Sequence, residues 1–379
     1  MKYLIYTLSI GSLVGTNYGI ITGVTWADIT CFVLFVISFF KYVSNRWKID
    51  RFCKLSALYI PFMLGVAVIN GTLMNTIFIN YFRNYIWGIV VYFALSNSVK
   101  SIQDIKKVIL MGSAFLFIFI LNYRAMMQDT YFENLSSLDF GYGRNNVAFT
   151  ALLFAIIFEF MYYAKLVKSY ILVGIVIMAS IIVFCTSRYA MMMFVITFLI
   201  FRFLSHKIIT ISEVITIVSL CIFGPIIYEF VISFADSSFY AYSQNYLNEK
   251  INGSGDDFWN SRILSINVKP IKRILEYEGT LFLFFGKPLA IQHSFFSHTL
   301  ITTGIAGCLC YLITNIKLLL WSFQFKGVYL FLFIVIFVMF TNDFITNARF
   351  IIGVNSIFYG VICAIIYRYI VINENTHIS

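Results

Sequence analysis

His293 opens the run His293-Ser294-Phe295-Phe296-Ser297-His298-Thr299-Leu300-Ile301-Thr302-Thr303-Gly304-Ile305-Ala306-Gly307, where a polar stretch of the chain meets an apolar one. An imidazole, with an ordinary pKa of about 6.5, can take up or release a proton near neutral pH. Gly304 and Gly307, just inside the apolar part, would let a helix pack closely against its neighbours. His298 follows five residues after His293, so on a helix it points elsewhere. Ser294 and Ser297 could suggest a nucleophile, but the chain has no Gly-x-Ser-x-Gly elbow, and serine at a helix start is more commonly a cap.

Arginines supply the second chemical signal. Arg83, Arg144, Arg188, Arg262 and Arg349 fall at or near the ends of apolar runs, all on the side expected to face outward. A guanidinium is a planar, permanent cation suited to bidentate contact with phosphate oxygens. Arg188, in Thr186-Ser187-Arg188, stands in a hairpin of almost no length between two strongly apolar runs, and a charge so placed is a functional candidate. The plainer alternative is that such arginines pair with acids such as Asp343 or Glu276, or reach out to lipid headgroups.

These groups must be positioned by membrane-spanning helices. Apolar residues make up 60% of the 379, charged residues only 12%, and mean hydropathy is +0.87. A bilayer core needs about 20 apolar residues per helix. That yardstick predicts an all-α polytopic membrane protein of about 12 transmembrane helices, near 3–18, 21–40, 55–71, 82–98, 107–123, 146–164, 169–186, 189–204, 208–232, 296–316, 328–342 and 350–371. Pro61 and Pro225 should kink the third and ninth. With the N-terminus inside, the inner segments hold 16 of the 27 lysines and arginines, and the outer ones hold the other 11 with most of the acids. The positive-inside rule therefore predicts both termini in the cytoplasm.

Residues 1–379 read as one integral membrane domain with two outer segments longer than turns, Arg124 to Asn145 and a large loop over 233–292. In the large loop, Ile263, Ile266, Ile271, Ile274 and Leu275 recur at roughly helical spacing, which predicts a helix on the membrane surface. A second surface helix is predicted from Met74, Ile77, Phe78, Tyr81, Phe82 and Tyr85, with Asn75, Asn80, Arg83 and Asn84 as its wet face.

Several function classes fit poorly. The formal charge of +10 is explained by membrane orientation, so no nucleic-acid partner is implied. Seven cysteines lie mainly in or beside apolar runs and form neither a disulfide framework nor a zinc pattern; Asp256-Asp257 is not a DxD pair. No metal or other cofactor is expected. A proton-coupled transporter would favour acids nearer the bilayer midplane than Glu159 and Glu229, each read as close enough to a membrane face to snorkel.

The run from His293 to Gly307 follows the pattern His, then Asn, Ser or Gln, nine residues, Gly, two residues, then Gly, Thr or Tyr, and resembles the signature of the O-antigen ligase and Wzy-type polymerase superfamily. Other pieces match in order: Gly143-Arg144-Asn145-Asn146, Thr186-Ser187-Arg188, Asn260-Ser261-Arg262, Phe285-Gly286-Lys287-Pro288, and Asp343 to Arg349 before the last span. Ser294 stands where the family frequently has Asn, and the large loop lacks a second strong basic run. The resemblance implies a metal-independent glycosyltransferase of the GT-C kind in the bacterial inner membrane, acting on its periplasmic face. Its donor would be an oligosaccharide on undecaprenyl pyrophosphate, with membrane lipid and a chain-length regulator as further partners. A polymerase moves the glycan to a sugar hydroxyl of the next lipid-linked repeat unit; a ligase moves it to lipid A core. A flippase for lipid-linked sugar is the alternative of a different class.

Under that resemblance His293 is the general base or acceptor-orienting group, and Arg188 and Arg262 meet the pyrophosphate. Arg83, Arg144, Arg349 and His298 are further binders of phosphate or acceptor glycan. Tyr240, Tyr242, Tyr246 and Trp259 could stack on sugar rings, though interfacial belts use the same residues.

Overall fold

The computed structural model describes residues 1–15, 19–21, 24–128, 144–168, 171–185, 187–205, 272, 284–286, 295–346 and 353–378; at Arg144, Arg188 and His298, among others, it describes the backbone alone. The described chain is predominantly helical. Five helices among the described residues are long and apolar enough to cross a membrane, Trp26–Val43, Arg51–Ile69, Asn146–Tyr163, Thr302–Ser322 and Val354–Glu374, and three apolar helices are shorter. The ninth expected span and the expected surface helix at 263–275 lie outside the described residues. The chain divides into two compact units, one of residues 1–112, 254–325 and 335–379, the other of residues 113–253 and 326–334.

In the first unit α1 (Lys2–Gly15) is followed by a small antiparallel pair, β1 (Gly19–Ile21) and β2 (Val24–Thr25), and then by α2 (Trp26–Val43). The second span was expected from residue 21, but the helix starts at Trp26. The reason is a capping box: Thr25 N donates to Asp28 Oδ2 at 2.8 Å, while Asp28 N donates back to Thr25 Oγ1 at 3.4 Å. Phe32, Phe35, Phe39 and Phe40 of α2 are exposed, the outward apolar surface a lipid-facing helix presents.

The third apolar run is two helices, α3 (Arg51–Ala57) and α4 (Tyr59–Ile69). Pro61 has no N–H for the Ala57 carbonyl, and the chain tightens before it, with Leu58 N donating to Leu55 O at 3.2 Å. The effect expected of Pro61 is thus a tightened turn at Leu58, whose backbone stays right-handed helical, within the span Arg51–Ile69. Asp50 caps α3, accepting from Cys53 N at 2.9 Å and from Tyr92 Oη at 2.8 Å. Burial nevertheless holds its carboxyl above the ordinary value, against the lowering effect of those bonds.

A surface helix at 74–85 followed by a separate span at 82–98 is overturned. One helix, α5 (Thr76–Ser98), covers both, capped by Asn75 Oδ1 accepting from Ile77 N at 2.9 Å. Polar side chains do not interrupt a helix when tertiary partners satisfy them. Asn84, assigned to a wet face, is buried, and Arg83 is ion-paired.

α12 (Gly353–Ile378) packs most intimately on α5. A Cβ added at Gly88 would stand 2.5 Å from the Ser356 carbonyl oxygen, and one at Gly360 would overlap the Gly88 carbonyl. Close backbone approach matters in a bilayer, where lipid tails are as apolar as the side chains and helix pairing rests on fit and hydrogen bonds. Next to it Phe52 stacks on Tyr92 with ring centroids 4.0 Å apart.

At one end of this unit Lys2 Nζ meets Asp104 Oδ2 at 3.1 Å, at the start of α6 (Ile102–Gln128). Burial is the largest single influence on Asp104 and opposes its charge. Hydrogen bonds from Lys100 N and Lys2 and the Lys2 charge together outweigh it, so its pKa lies below the ordinary 3.8. α6 runs on to Gln128, so Arg124, expected to open an outer loop, belongs to its last turns.

In the second unit α7 (Arg144–Tyr163), α8 (Ile171–Phe184) and α9 (Arg188–Ser205) pack together. Phe160, Tyr163 and Phe201 surround Phe331, where a 3-10 turn (Gly327–Leu330) leads into α11 (Phe331–Thr346). Glu159, expected to reach a membrane face, is instead buried in α7.

Candidate functional site

The site region of the first unit is built on α10 (Phe295–Ser322), which carries most of the run singled out in the sequence. α10 is not straight. Gly304 adopts φ 70° and ψ −173°, dividing it into a limb from Phe295 to Thr303 and a longer limb beyond. Only glycine takes that conformation freely, and a Cβ there would also overlap the Phe284 carbonyl. The glycine expected to allow close packing does so against a backbone segment.

That segment is Phe284-Phe285-Gly286. Asn70, capping the end of α4, donates through Nδ2 to Gly286 O at 2.6 Å and to Phe285 O at 3.3 Å. Two pieces singled out separately in the sequence, Phe285-Gly286 and the glycine end of the histidine run, therefore stand against each other.

The limb before Gly304 is held by hydroxyls. Tyr81 Oη lies 3.1 Å from Thr299 Oγ1, Tyr81 Oη lies 2.8 Å from Tyr59 Oη, and Tyr59 Oη lies 3.2 Å from Thr303 Oγ1. Thr303 Oγ1 donates to the Thr299 carbonyl at 2.8 Å. That last bond uses the only proton of Thr303, so Thr303 accepts from Tyr59, Tyr59 from Tyr81, and Tyr81 from Thr299. The four hydroxyls form one directed circuit, fully buried. In an apolar interior such bonds reinforce one another, and an unmet hydroxyl is costly. Tyr59, Tyr81 and Tyr311 belong to one aromatic cluster, with Tyr59 and Tyr311 edge to face at 5.4 Å.

Tyr311 in turn donates to Asp343 in α11. The sequence offers Asp343 as an acid with which outer arginines could pair. It is fully buried and receives a tyrosine hydroxyl.

Arg83 is the one arginine of the five whose side chain is described. Its Nη1 lies 3.2 Å from Asp28 Oδ2, and Trp87 Nε1, one turn later, donates to Asp28 Oδ1 at 2.8 Å. Tyr81 and Arg83 are two positions apart, about 200° around the helix, so Arg83 serves the α2 side of α5 and Tyr81 the α10 side. Arg83 also borders an apolar cavity of about 290 Å³ lined by Leu64, Leu73, Phe78, Phe82 and Trp87.

Arg144 opens α7 and Arg188 opens α9. α8 ends at Phe184 and α9 starts at Arg188, and Ser187 Oγ accepts from Ala190 N at 3.4 Å as a helix cap; Thr186 lies outside the described residues. His298 lies in the first limb of α10, one position before Thr299. His293, Arg262 and Arg349 lie outside the described residues, as do Tyr240, Tyr242, Tyr246 and Trp259. Among the described residues no group of three or more His, Cys, Asp or Glu side chains is placed to hold a metal ion.

Sequence reasoning missed Asp28, Tyr59, Tyr81 and Asn70. Asp28 had a local signal, the Thr25-x-x-Asp28 spacing of a capping box. The two tyrosines had none, being two of 25 in an apolar chain.

No protein-family model, no curated protein and no solved structure matches this chain.

Proposed function

We propose that this chain is a metal-independent glycosyltransferase that polymerises a polysaccharide, O-antigen or capsule, from undecaprenyl-pyrophosphate-linked repeat units on the outer face of the plasma membrane. The observation that carries the reading is the approach of Phe285-Gly286 to Gly304, which joins two pieces of the sequence pattern in one packed unit. The apolar helices support a membrane setting for a lipid-linked donor.

The chemistry follows from the residue types. A sugar hydroxyl of the acceptor attacks the anomeric carbon of the donor while the bond from that carbon to the pyrophosphate oxygen breaks. Undecaprenyl pyrophosphate leaves with added negative charge, which the guanidinium groups of Arg188 and Arg262 stabilise. His293 takes the hydroxyl proton or orients that hydroxyl. Arg83, Arg144, Arg349 and His298 contact phosphate or glycan, Arg83 while also ion-paired with Asp28.

The test is reconstitution of the purified protein in liposomes with a defined undecaprenyl-pyrophosphate-linked repeat unit. A ladder of lipid-linked polymer supports the reading, and His293→Ala should abolish it without lowering protein level. Transfer only when lipid A core is added would identify a ligase. Movement of the lipid between leaflets with no new glycosidic bond would identify a flippase and overturn the proposal.

A further inference from the structure

The end of α5 away from Arg83 gathers cations that the proposed transfer does not use. Tyr6 Oη donates to the Ser98 carbonyl at 3.2 Å, which sets the start of α1 against the last turn of α5. There Asp104 Oδ2 accepts both from Lys2 Nζ at 3.1 Å and from Lys100 N at 3.0 Å. α12 reaches the same level. From the close approach of Gly88 to Ser356 and Gly360 it runs in the same direction as α5, with the Tyr92 and Tyr367 rings 6.2 Å apart. At the rise of an α-helix, Lys100 and Arg368 both lie about 12 to 18 Å beyond that approach. Lys100 feels both of the other cations: burial first, then the charges of Arg368 and Lys2, hold its ammonium below the ordinary value.

The acids nearby are committed elsewhere. Asp104 is shared between Lys2 and the Lys100 backbone, and Asp50, within electrostatic reach of Arg368, accepts from Cys53 N and Tyr92 Oη. Glu374 is exposed and stands about 240° around α12 from Arg368. Arg368 itself, inside the span Val354–Glu374, makes neither a hydrogen bond nor an ion pair with any described residue, and its Nε is buried. A guanidinium nitrogen taken out of water with nothing to receive its proton is costly, and an anion meeting it removes that cost.

Beside these cations the surface turns apolar. Lys107 Nζ donates to Tyr3 Oη at 2.8 Å, joining the starts of α1 and α6, and further along the pair Ile10 lies against Gly112. Between those two contacts Leu4 and Leu110 are exposed. Basic groups at a helix end with bare aliphatic side chains next to them match an amphiphile whose phosphate stays at the boundary and whose chains enter the bilayer. A soluble anion accounts for the cations alone.

We propose that Lys2, Lys100 and Arg368 bind the phosphate of an anionic phospholipid, of the phosphatidylglycerol or cardiolipin type, whose acyl chains lie along Leu4 and Leu110. The guanidinium offers phosphate oxygens a planar pair of donors, and the two lysines add charge. The site stands apart from the proposed glycosyl transfer and holds whether or not that reading does. On the positive-inside expectation it faces the cytoplasmic leaflet.

The experiment is native mass spectrometry of the purified full-length protein in detergent, titrated with phosphatidylglycerol and with phosphatidylcholine of the same acyl chains. The wild type should bind phosphatidylglycerol about fivefold or more tightly than phosphatidylcholine, and Arg368→Gln and Lys100→Gln should each lose about fivefold for phosphatidylglycerol alone, the loss expected of one basic residue beside an anionic lipid. Lys54→Gln and Lys317→Gln remove the same charge from exposed positions elsewhere and should stay within about twofold. Lys100 is exposed, so its variant carries the comparison if Arg368→Gln does not fold. Equal losses in site and control variants would reduce the effect to general attraction and overturn the proposal, as would equal binding of the two lipids by the wild type. Inorganic phosphate that raises the melting temperature as much as phosphatidylglycerol does, and loses that effect in Lys100→Gln, would identify a soluble-anion site and overturn the lipid assignment.

Discussion

The hydroxyl circuit makes a prediction whose size follows from counting bonds. Tyr59→Phe removes the bonds to Tyr81 and Thr303, and Tyr81→Phe removes the bonds to Tyr59 and Thr299, two in each case. The double variant removes three, because the bond between the tyrosines is shared. A buried hydrogen bond contributes about 1 kcal/mol in soluble proteins and about 0.6 kcal/mol on average between membrane helices. Each single variant should therefore cost about 1 to 2 kcal/mol, and the double should fall short of their sum by one bond, about 0.6 to 1 kcal/mol. Tyr85→Phe is the internal control, since its hydroxyl donates to the Ser56 carbonyl at 2.8 Å and takes no part in the circuit. Combined with Tyr59→Phe, which keeps the ring contact between Tyr59 and Tyr85 at 5.5 Å, it should show less coupling than the Tyr59–Tyr81 pair because no hydrogen bond is shared. The assay is equilibrium unfolding in mixed detergent micelles for the wild type, the three single variants and the two doubles. Additivity of Tyr59→Phe with Tyr81→Phe, or equal coupling in both doubles, would refute the circuit.

Other perturbations read other parts of the fold. Gly304→Ala should destabilise by several kcal/mol, since it forces a side chain into a left-handed conformation and into the Phe284 carbonyl; a thermal scan matching wild type would contradict the break in α10. Asp28→Asn should weaken the grip on Arg83 and Trp87 and the cap of α2 together, at about 1 to 2 kcal/mol, measurable by the same unfolding assay. The folded pKa of Asp104 lies below 3.8, so its ion pair with Lys2 stabilises above the unfolded value and is lost as pH falls through the folded one. With Lys2 half exposed the effect is about 0.5 kcal/mol, and Asp104→Asn should flatten melting temperature against pH below about pH 4.

The composition and the apolar runs of this chain are enough to establish a helical architecture with helices able to cross a membrane, because helix length and side-chain polarity are local properties that a bilayer enforces. The role of Gly304 as a point of close approach was equally legible. Polarity misled where tertiary contacts satisfy it: Asn84 and Asp343 look like surface residues in one dimension, and both are buried. Asn80, Arg83 and Asn84 suggested a helix lying flat, yet α5 is one continuous helix in which Asp28, distant in sequence, meets Arg83. Which tyrosines close the circuit could not be read from the chain, since Tyr59 and Thr303 are 244 residues apart and no local spacing encodes that contact. Residue type and period determine which segments are helical and which can carry charge; only packing decides which hydroxyl meets which, because a hydrogen bond depends on distances of a few tenths of an ångström between groups that the linear order leaves unrelated.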